Sequence, residues 1–258
     1  MTDKLLSIVK EAGELSFHYF GQLAEQDVKH KKDVADLVTP VDREVEEFLR
    51  SRLAREFPEV PFIGEEGEYG NPADYDTAFI VDPIDGTTNF VHALPEYAVS
   101  VGFKKDGRLA TGAVYLPYFK TMYHAVRGHG AYKDGRSIRV SASNELNKAL
   151  VCTGFACIRE NLPDNNIALF NRVLPEVRAV RGTGAAAVEC CYVAEGRYDL
   201  YWELNLKPWD VAAGTLIVRE AGGKVTDLQG SEEFDETASY VASNGPVHNK
   251  FLELAKFR

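Results

Sequence analysis

The segment that most limits the fold is residues 78–90, Ala-Phe-Ile-Val-Asp-Pro-Ile-Asp-Gly-Thr-Thr-Asn-Phe. Its apolar opening reads as a buried strand. Pro83 has no N–H to give to a ladder, so the strand is expected to stop at Asp82 and turn. Asp82 and Asp85 then stand at one strand end, and the turn lets the Ile84 carbonyl face the same point. Two carboxylates and a carbonyl within four residues are hard oxygen donors of the kind Mg²⁺ takes. If a helix or tight turn begins after Gly86, the amides of Gly86 and Thr87 are free, and free amides at a helix start bind phosphate oxygens. Asp, Pro and Gly are also ordinary turn residues, so this segment alone would read as a surface turn.

Other acids in the chain argue against that bland reading. Glu65 and Glu66 follow a short apolar strand, Phe62-Ile63-Gly64. In Asp36-Leu-Val-Thr-Pro-Val-Asp42, Thr39 caps a helix, Pro40 suits its first position, and Asp42 complements the helix dipole. Asp36 has no such local use. Asp210, after Lys207-Pro208-Trp209, opens an otherwise apolar helix.

The remaining punctuation predicts helices over about 2–23, 39–57, 166–174, 185–194 and 208–220, with another after Pro246. Strands are expected at 77–81, 98–103, 110–116, 121–126, 138–141, 150–155, 198–202, 224–227 and 240–243. Lys105-Asp-Gly107 and Lys133-Asp-Gly135 read as hairpin turns. Strand runs followed by mixed units predict an α/β protein of stacked helix and sheet layers. A single domain over 1–258 is expected, with two lobes divided near 145–150.

A net charge of −10, from 39 acidic and 29 basic residues, argues against binding nucleic acid, whose phosphates need Lys and Arg. No apolar run approaches the ~20 residues of a membrane span, and the charged, amphipathic N-terminus is unlike a secretory signal. Cys152, Cys157, Cys190 and Cys191 lack zinc spacing and read as buried thiols, which suits a cytoplasmic protein.

Taken in order, these segments resemble the inositol monophosphatase family of Mg²⁺-dependent, lithium-sensitive sugar and inositol phosphatases. The resemblance rests on Asp36-Leu-Val-Thr39 with Asp42, Ile63-Gly-Glu-Glu66, and Asp82-Pro-Ile-Asp-Gly-Thr-Thr-Asn-Phe-Val-His92. It continues in Gly184-Ala-Ala186, Trp209-Asp210 and Glu220-Ala-Gly-Gly223. It implies an alternating α-β-α-β-α sandwich, usually a homodimer, binding two to three Mg²⁺ ions. By resemblance, Glu65, Asp82 and the Ile84 carbonyl hold one ion, and Asp82, Asp85 and Asp210 a second. A third, looser ion is expected near Glu65. Thr87 and Asp36 orient and deprotonate the attacking water, and Gly86 and Thr87 take the phosphate. Asp85, Gly184, Ala186, Glu203 and Asp210 lie where the family binds the alcohol. Ala185 stands where the family commonly has Ser or Thr, which puts inositol preference in doubt.

The leading expectation is hydrolysis of inositol monophosphate, a small phosphorylated polyol. Fructose-1,6-bisphosphatase action, alone or combined with it, and 3′-phosphoadenosine nucleotide phosphatase action compete. A regulatory protein associating with transcription machinery is the alternative from another class.

Overall fold

The computed structural model describes residues 1–23, 28–30, 37–67, 69–155, 157, 165–232 and 239–256. Among these, a seven-stranded sheet is built from β3 (Phe62–Gly64), β4 (Ala78–Asp85), β5 (Ala98–Lys105), β6 (Arg108–Leu116), β7 (Thr121–Val126), β8 (Gly130–Lys133) and β9 (Arg136–Ser137), in that spatial order. Only the β3–β4 pair is parallel. A five-stranded sheet follows, ordered β11 (Ala179–Arg181), β10 (Leu150–Thr153), β12 (Leu200–Glu203), β14 (Tyr240–Ser243) and β13 (Lys224–Thr226). A small ribbon, β1 (Lys29–His30) with β2 (Leu37–Val38), is antiparallel.

Helices fill the layers between and outside the sheets. On one face of the large sheet, α1 (Thr2–Tyr19) and α2 (Pro40–Glu56) bury Leu5, Ile8, Val45 and Leu49 against Phe79, Val99 and Tyr115. Its other face meets α5 (Ala186–Ala194) and α6 (Pro208–Glu220), whose Val188, Cys191, Val211 and Ile217 also touch Tyr201, Tyr240 and Ala242 of the small sheet. The far face of that sheet packs Trp202 and Val241 against α4 (Asn166–Val173) and α7 (His248–Ala255). The expected α-β-α-β-α sandwich is therefore the observed architecture, with α5 and α6 as its central layer.

The central layer is tight. A Cβ at Gly112 would stand 2.6 Å from the Ala213 carbonyl, and one at Gly102 would stand 2.8 Å from the Ala212 Cβ. Two glycines on neighbouring strands thus let the backbone of α6 rest on the sheet.

Local chemistry explains most boundaries. The turns at Asp106-Gly107 and Asp134-Gly135 place both residues at positive φ, 51° and 72° and then 48° and 76°, which matches the twist of two-residue hairpins. Helix α1 ends at Tyr19 rather than Leu23 because Phe20 leaves the helix, at φ −59° and ψ 125°, to stack on Tyr97 at 5.4 Å. Residues 138–141 form no strand. Their groups go elsewhere: Val140 N–H donates to the Ala221 carbonyl at the end of α6, and Ser141 donates to Asp199. Among the described residues no helix is long and apolar enough to cross a membrane.

Candidate active site

Strand β4 does not stop at Asp82. It continues to Asp85 with a break in register against β5 between those two residues. Pro83 sits inside this bulge, where no ladder N–H is required. The bulge leaves Asp82 Oδ1 accepting from Ile84 N–H at 3.0 Å and sets the Ile84 carbonyl 3.1 Å from Thr87 Oγ1. Gly86 follows at φ 88° and ψ 43°, a left-handed conformation natural to glycine. A Cβ there would stand 2.9 Å from the Cβ of Ala185. The short helix α3 (Thr87–Val91) begins at once.

Asp85 does more than end a strand. Its Oδ1 accepts from Ala186 N–H at 2.9 Å, and its Oδ2 from Ala187 N–H at 2.9 Å and Val188 N–H at 3.4 Å. Ala185, at the N-cap of α5, offers no side-chain cap. The orphan amides of that helix are thus capped by a carboxylate that lies about a hundred residues earlier in the chain, and the helix dipole favours its charge.

These residues line a cavity of about 190 Å³. On its wall stand Glu65 beyond β3, Asp82, Ile84 and Asp85 on β4, Gly86 and Thr87, Gly184 and Ala186 at the start of α5, Glu203 ending β12, and Asp210 in the first turn of α6. Asp36 lies outside the described residues. Glu203 is only 8% exposed, with Tyr201 Oη donating to it at 2.8 Å. Asp210 Oδ2 accepts from Lys207 N–H at 2.7 Å.

The Inositol monophosphatase family matches the chain over residues 1–257. The chain belongs to the inositol monophosphatase family. Inositol monophosphatase 2 of Solanum lycopersicum is 42% identical over 257 residues, covering 97% of this chain and 96% of that protein. Nus factor SuhB of Pseudomonas aeruginosa is 41% identical over 251 residues, covering 95% and 91%. Among solved structures, the Thermotoga maritima IMPase superposes with a TM-score of 0.88 at 31% identity, over 98% of this chain and 96% of that one. An IMPase/NADP phosphatase complexed with Mg²⁺ and phosphate superposes with a TM-score of 0.85 at 26% identity, over 98% and 94%. This inositol monophosphatase family member is accordingly a phosphoric monoester hydrolase.

In this family member the cavity carries six carboxylates, those of Glu65, Asp82, Asp85, Glu189, Glu203 and Asp210, and no Lys, Arg or His stands among its described lining residues. Burial raises Asp85 to about 7, against the donated amides of α5, and Glu65 adds to the rise. Asp210 is held well above the ordinary carboxylate range by burial and then by Glu65, with Asp85 and Glu203 contributing. These acids raise one another's pKa through their like charge. A set of buried carboxylates plus the Ile84 carbonyl is the donor chemistry of hard divalent ions, so the residues fit Mg²⁺. Among the described residues, no three acidic, His or Cys side chains already surround one point at ligating distance, since several of their oxygens rest on backbone amides.

The residue that sequence reasoning missed is Asp42. It is 1% exposed. Its Oδ2 completes a capping box with Thr39, at 2.8 Å from N–H and 2.6 Å from Oγ1. Its Oδ1 stands 3.1 Å from Thr87 Oγ1. Burial raises Asp42 to about 6, opposed by the Thr39 bonds. A cap needs one carboxylate oxygen, and the second was the signal available in the sequence. Glu46, on α2, also serves the site at one remove. It accepts from Glu66 N–H at 2.8 Å and Tyr69 Oη at 3.2 Å, fixing the loop that carries Glu65.

Proposed function

We propose that this protein hydrolyses inositol monophosphate to inositol and phosphate with two to three Mg²⁺ ions in the described cavity. The observation that carries the reading is the gathering of six carboxylates on one cavity wall, which would repel a phosphate dianion unless divalent ions intervene. Glu65, Asp82 and the Ile84 carbonyl would hold one ion, Asp82, Asp85 and Asp210 a second, with a looser third near Glu65. Bound Mg²⁺ supplies a water of lowered pKa and stabilises charge on the phosphoryl oxygens.

The chain's own residues then move one proton and hold one anion. Thr87 Oγ1 lies 3.1 Å from both Asp42 Oδ1 and the Ile84 carbonyl, and a hydroxyl gives its proton to one acceptor at a time. When that acceptor is Asp42, the lone pairs of Thr87 are free to take a proton from water while its own passes to Asp42. A carboxylate poised near 6 suits that transfer near neutral pH. The task assigned by resemblance to Asp36 thus goes, in this reading, to Asp42. The amides of Gly86 and Thr87 would take phosphoryl oxygens. Ala186 N–H is already given to Asp85, so Ala186 acts by holding that carboxylate. Glu203 and Asp210 would face the alcohol.

Phosphate release with Mg²⁺ tests the assignment. Inositol 1-phosphate should be cleaved with a higher kcat/KM than fructose 1,6-bisphosphate, glycerol 2-phosphate or 3′-phosphoadenosine 5′-phosphate. A preference for fructose 1,6-bisphosphate would overturn it. A homodimer in the cytoplasm fits this reading, supported by family membership and by four buried, unbridged thiols; sedimentation equilibrium checks the dimer. A role beside transcription machinery is supported by the name of the Pseudomonas aeruginosa relative, and a pull-down from cell extract tests it.

A further inference from the structure

Behind the acidic cavity lies a second and larger concavity, of about 1270 Å³. Its charge is opposite. Lys104 at the end of β5, Arg108 at the start of β6, Arg127 just beyond β7 and Arg219 on α6 all line it, with Glu232 as the one acid among its described lining residues. In a chain of net charge −10, four cations in one hollow are a local reversal.

None of the four forms an ion pair with a carboxylate among the described residues. Lys104 Nζ donates to the Pro72 carbonyl at 3.1 Å. Arg219 Nη2 donates to the carbonyls of Val225, at 3.5 Å, and Glu232, at 3.2 Å. These bonds, to neutral carbonyls, hold the side chains in place without neutralising their charge. Burial first, then the neighbouring Arg108 and Arg219, pull the Arg127 guanidinium below its ordinary value, with Glu220 opposing. Arginines close enough to oppose one another's charge are the reverse of what stability selects, and they are the arrangement that holds phosphate groups through forked donors.

The remaining wall is apolar and aromatic. Trp209 and Tyr69 line the hollow with Pro72 and Leu109. The Trp209 indole N–H, buried there, has no hydrogen-bond partner among the described residues. Trp209 belongs to none of the buried clusters of the core, so its place on this wall is not explained by packing alone. A concave site with an apolar wall and convergent charged groups is the form of a small-molecule pocket, rather than the flat face of a macromolecular contact.

We propose that this cleft binds an organic phosphate carrying two or more phosphoryl groups, of the size of a nucleoside diphosphate. The guanidinium groups and Lys104 take the phosphates, and the apolar wall takes the organic part. Among its described lining residues the cleft has no set of carboxylates for a divalent ion, so the compound is bound there and not hydrolysed.

The two sites can be told apart by removing metal. In EDTA the active cavity is a wall of carboxylates and repels anions, whereas the basic cleft needs no metal. The experiment is titration calorimetry of the full-length protein in EDTA at low salt with two probes, ADP and inorganic pyrophosphate. Saturable binding of one ADP per chain is expected, at least fivefold tighter than pyrophosphate. The double variant Arg108→Ala/Arg127→Ala should weaken ADP at least tenfold; neither side chain makes a hydrogen bond or ion pair among the described residues. A control pair, Arg136→Ala on the far edge strand of the large sheet with Arg139→Ala just beyond it, should change it less than twofold. Absence of saturable binding in the wild-type protein, or equal weakening in both double variants, overturns the proposal. Equal affinity for ADP and pyrophosphate overturns the role given to the apolar wall.

Discussion

The first turn of α6 separates two hollows of opposite sign. On one side Asp210 joins five other carboxylates around a cavity of about 190 Å³. On the other, Trp209, its neighbour in sequence, joins four cations around a cleft of about 1270 Å³. Both attract phosphate chemistry, and they do so by different means. The acidic cavity, on the proposed assignment, would bind an anion only through divalent ions and could therefore activate water. The basic cleft binds an anion directly and has nothing with which to cleave it. Charge sign at a phosphate site thus distinguishes reaction from retention.

The largest expected break in this comparison is Asp85→Asn. It should lower Mg²⁺-dependent phosphate release by ~10³-fold or more, since it removes a proposed ligand of the second ion from the reacting centre. The same variant should leave ADP binding in EDTA unchanged. Retention of activity within a few-fold of wild type at saturating Mg²⁺ would sink the assignment of the acidic cavity.

Next in size are Thr87→Ala and Asp42→Asn, each expected to lower kcat by ~10²-fold, the usual scale of general acid–base help. The double variant should cost little more than either single one, because the two act as a unit. Fully additive losses would show that they act separately.

A smaller effect concerns stability of the metal-free protein. Asp42 and Asp85 have folded-state values raised to about 6 and about 7 above the ordinary carboxylate value near 3.8. A raised carboxylate binds its proton more tightly when folded, so its contribution is fully present below about pH 4 and is lost as pH rises through 6 to 7. In EDTA the melting temperature should therefore fall between about pH 4 and pH 7, with Asp42 alone worth roughly 3 kcal/mol. Added Mg²⁺ should remove most of that fall. A flat profile in EDTA would show that these acids are not mutually strained.

The smallest effect is expected from Ala185→Ser. An N-cap serine ordinarily contributes ~1 kcal/mol. Here the amides of Ala186, Ala187 and Val188 already bond to Asp85, so the gain should be a few tenths at most. Any change in KM for inositol 1-phosphate should exceed the change in stability; a stability gain of a full cap would mean that Asp85 is not the cap.

The sequence was most legible where two local signals agreed. Pro208 at a helix start and Gly222-Gly223 at its end gave α6 its observed limits, and residues 121–126 and 240–243 form strands as expected. The acids of the cavity stood out because Asp82 and Asp85 fall within four residues at the end of an apolar strand and Glu65 follows another. Asp42 was hidden for the opposite reason: its capping role is real, and one explanation concealed a second oxygen aimed at Thr87. Pro83 misled because a bulge tolerates what a regular ladder does not. The basic cleft was illegible altogether. Its cations come from two strand ends, a turn and a helix, each an ordinary surface charge in its own neighbourhood, and only the stacking of layers brings them together.

The glycines beneath α6 carry one last implication. A helix seated backbone to strand has no room to roll, so the carboxylate of Asp210 is presented from a fixed bench. Adjustment is left to rotation about its own side-chain bonds. If Asp210 holds an ion as proposed, such a mount would act as a gauge of ionic radius: an ion needing contacts of ~2.0–2.1 Å and one needing ~2.3–2.6 Å could not both be served by the same rigid bracket. A methyl group at Gly112 would loosen the bracket, and with it the discrimination between magnesium and calcium.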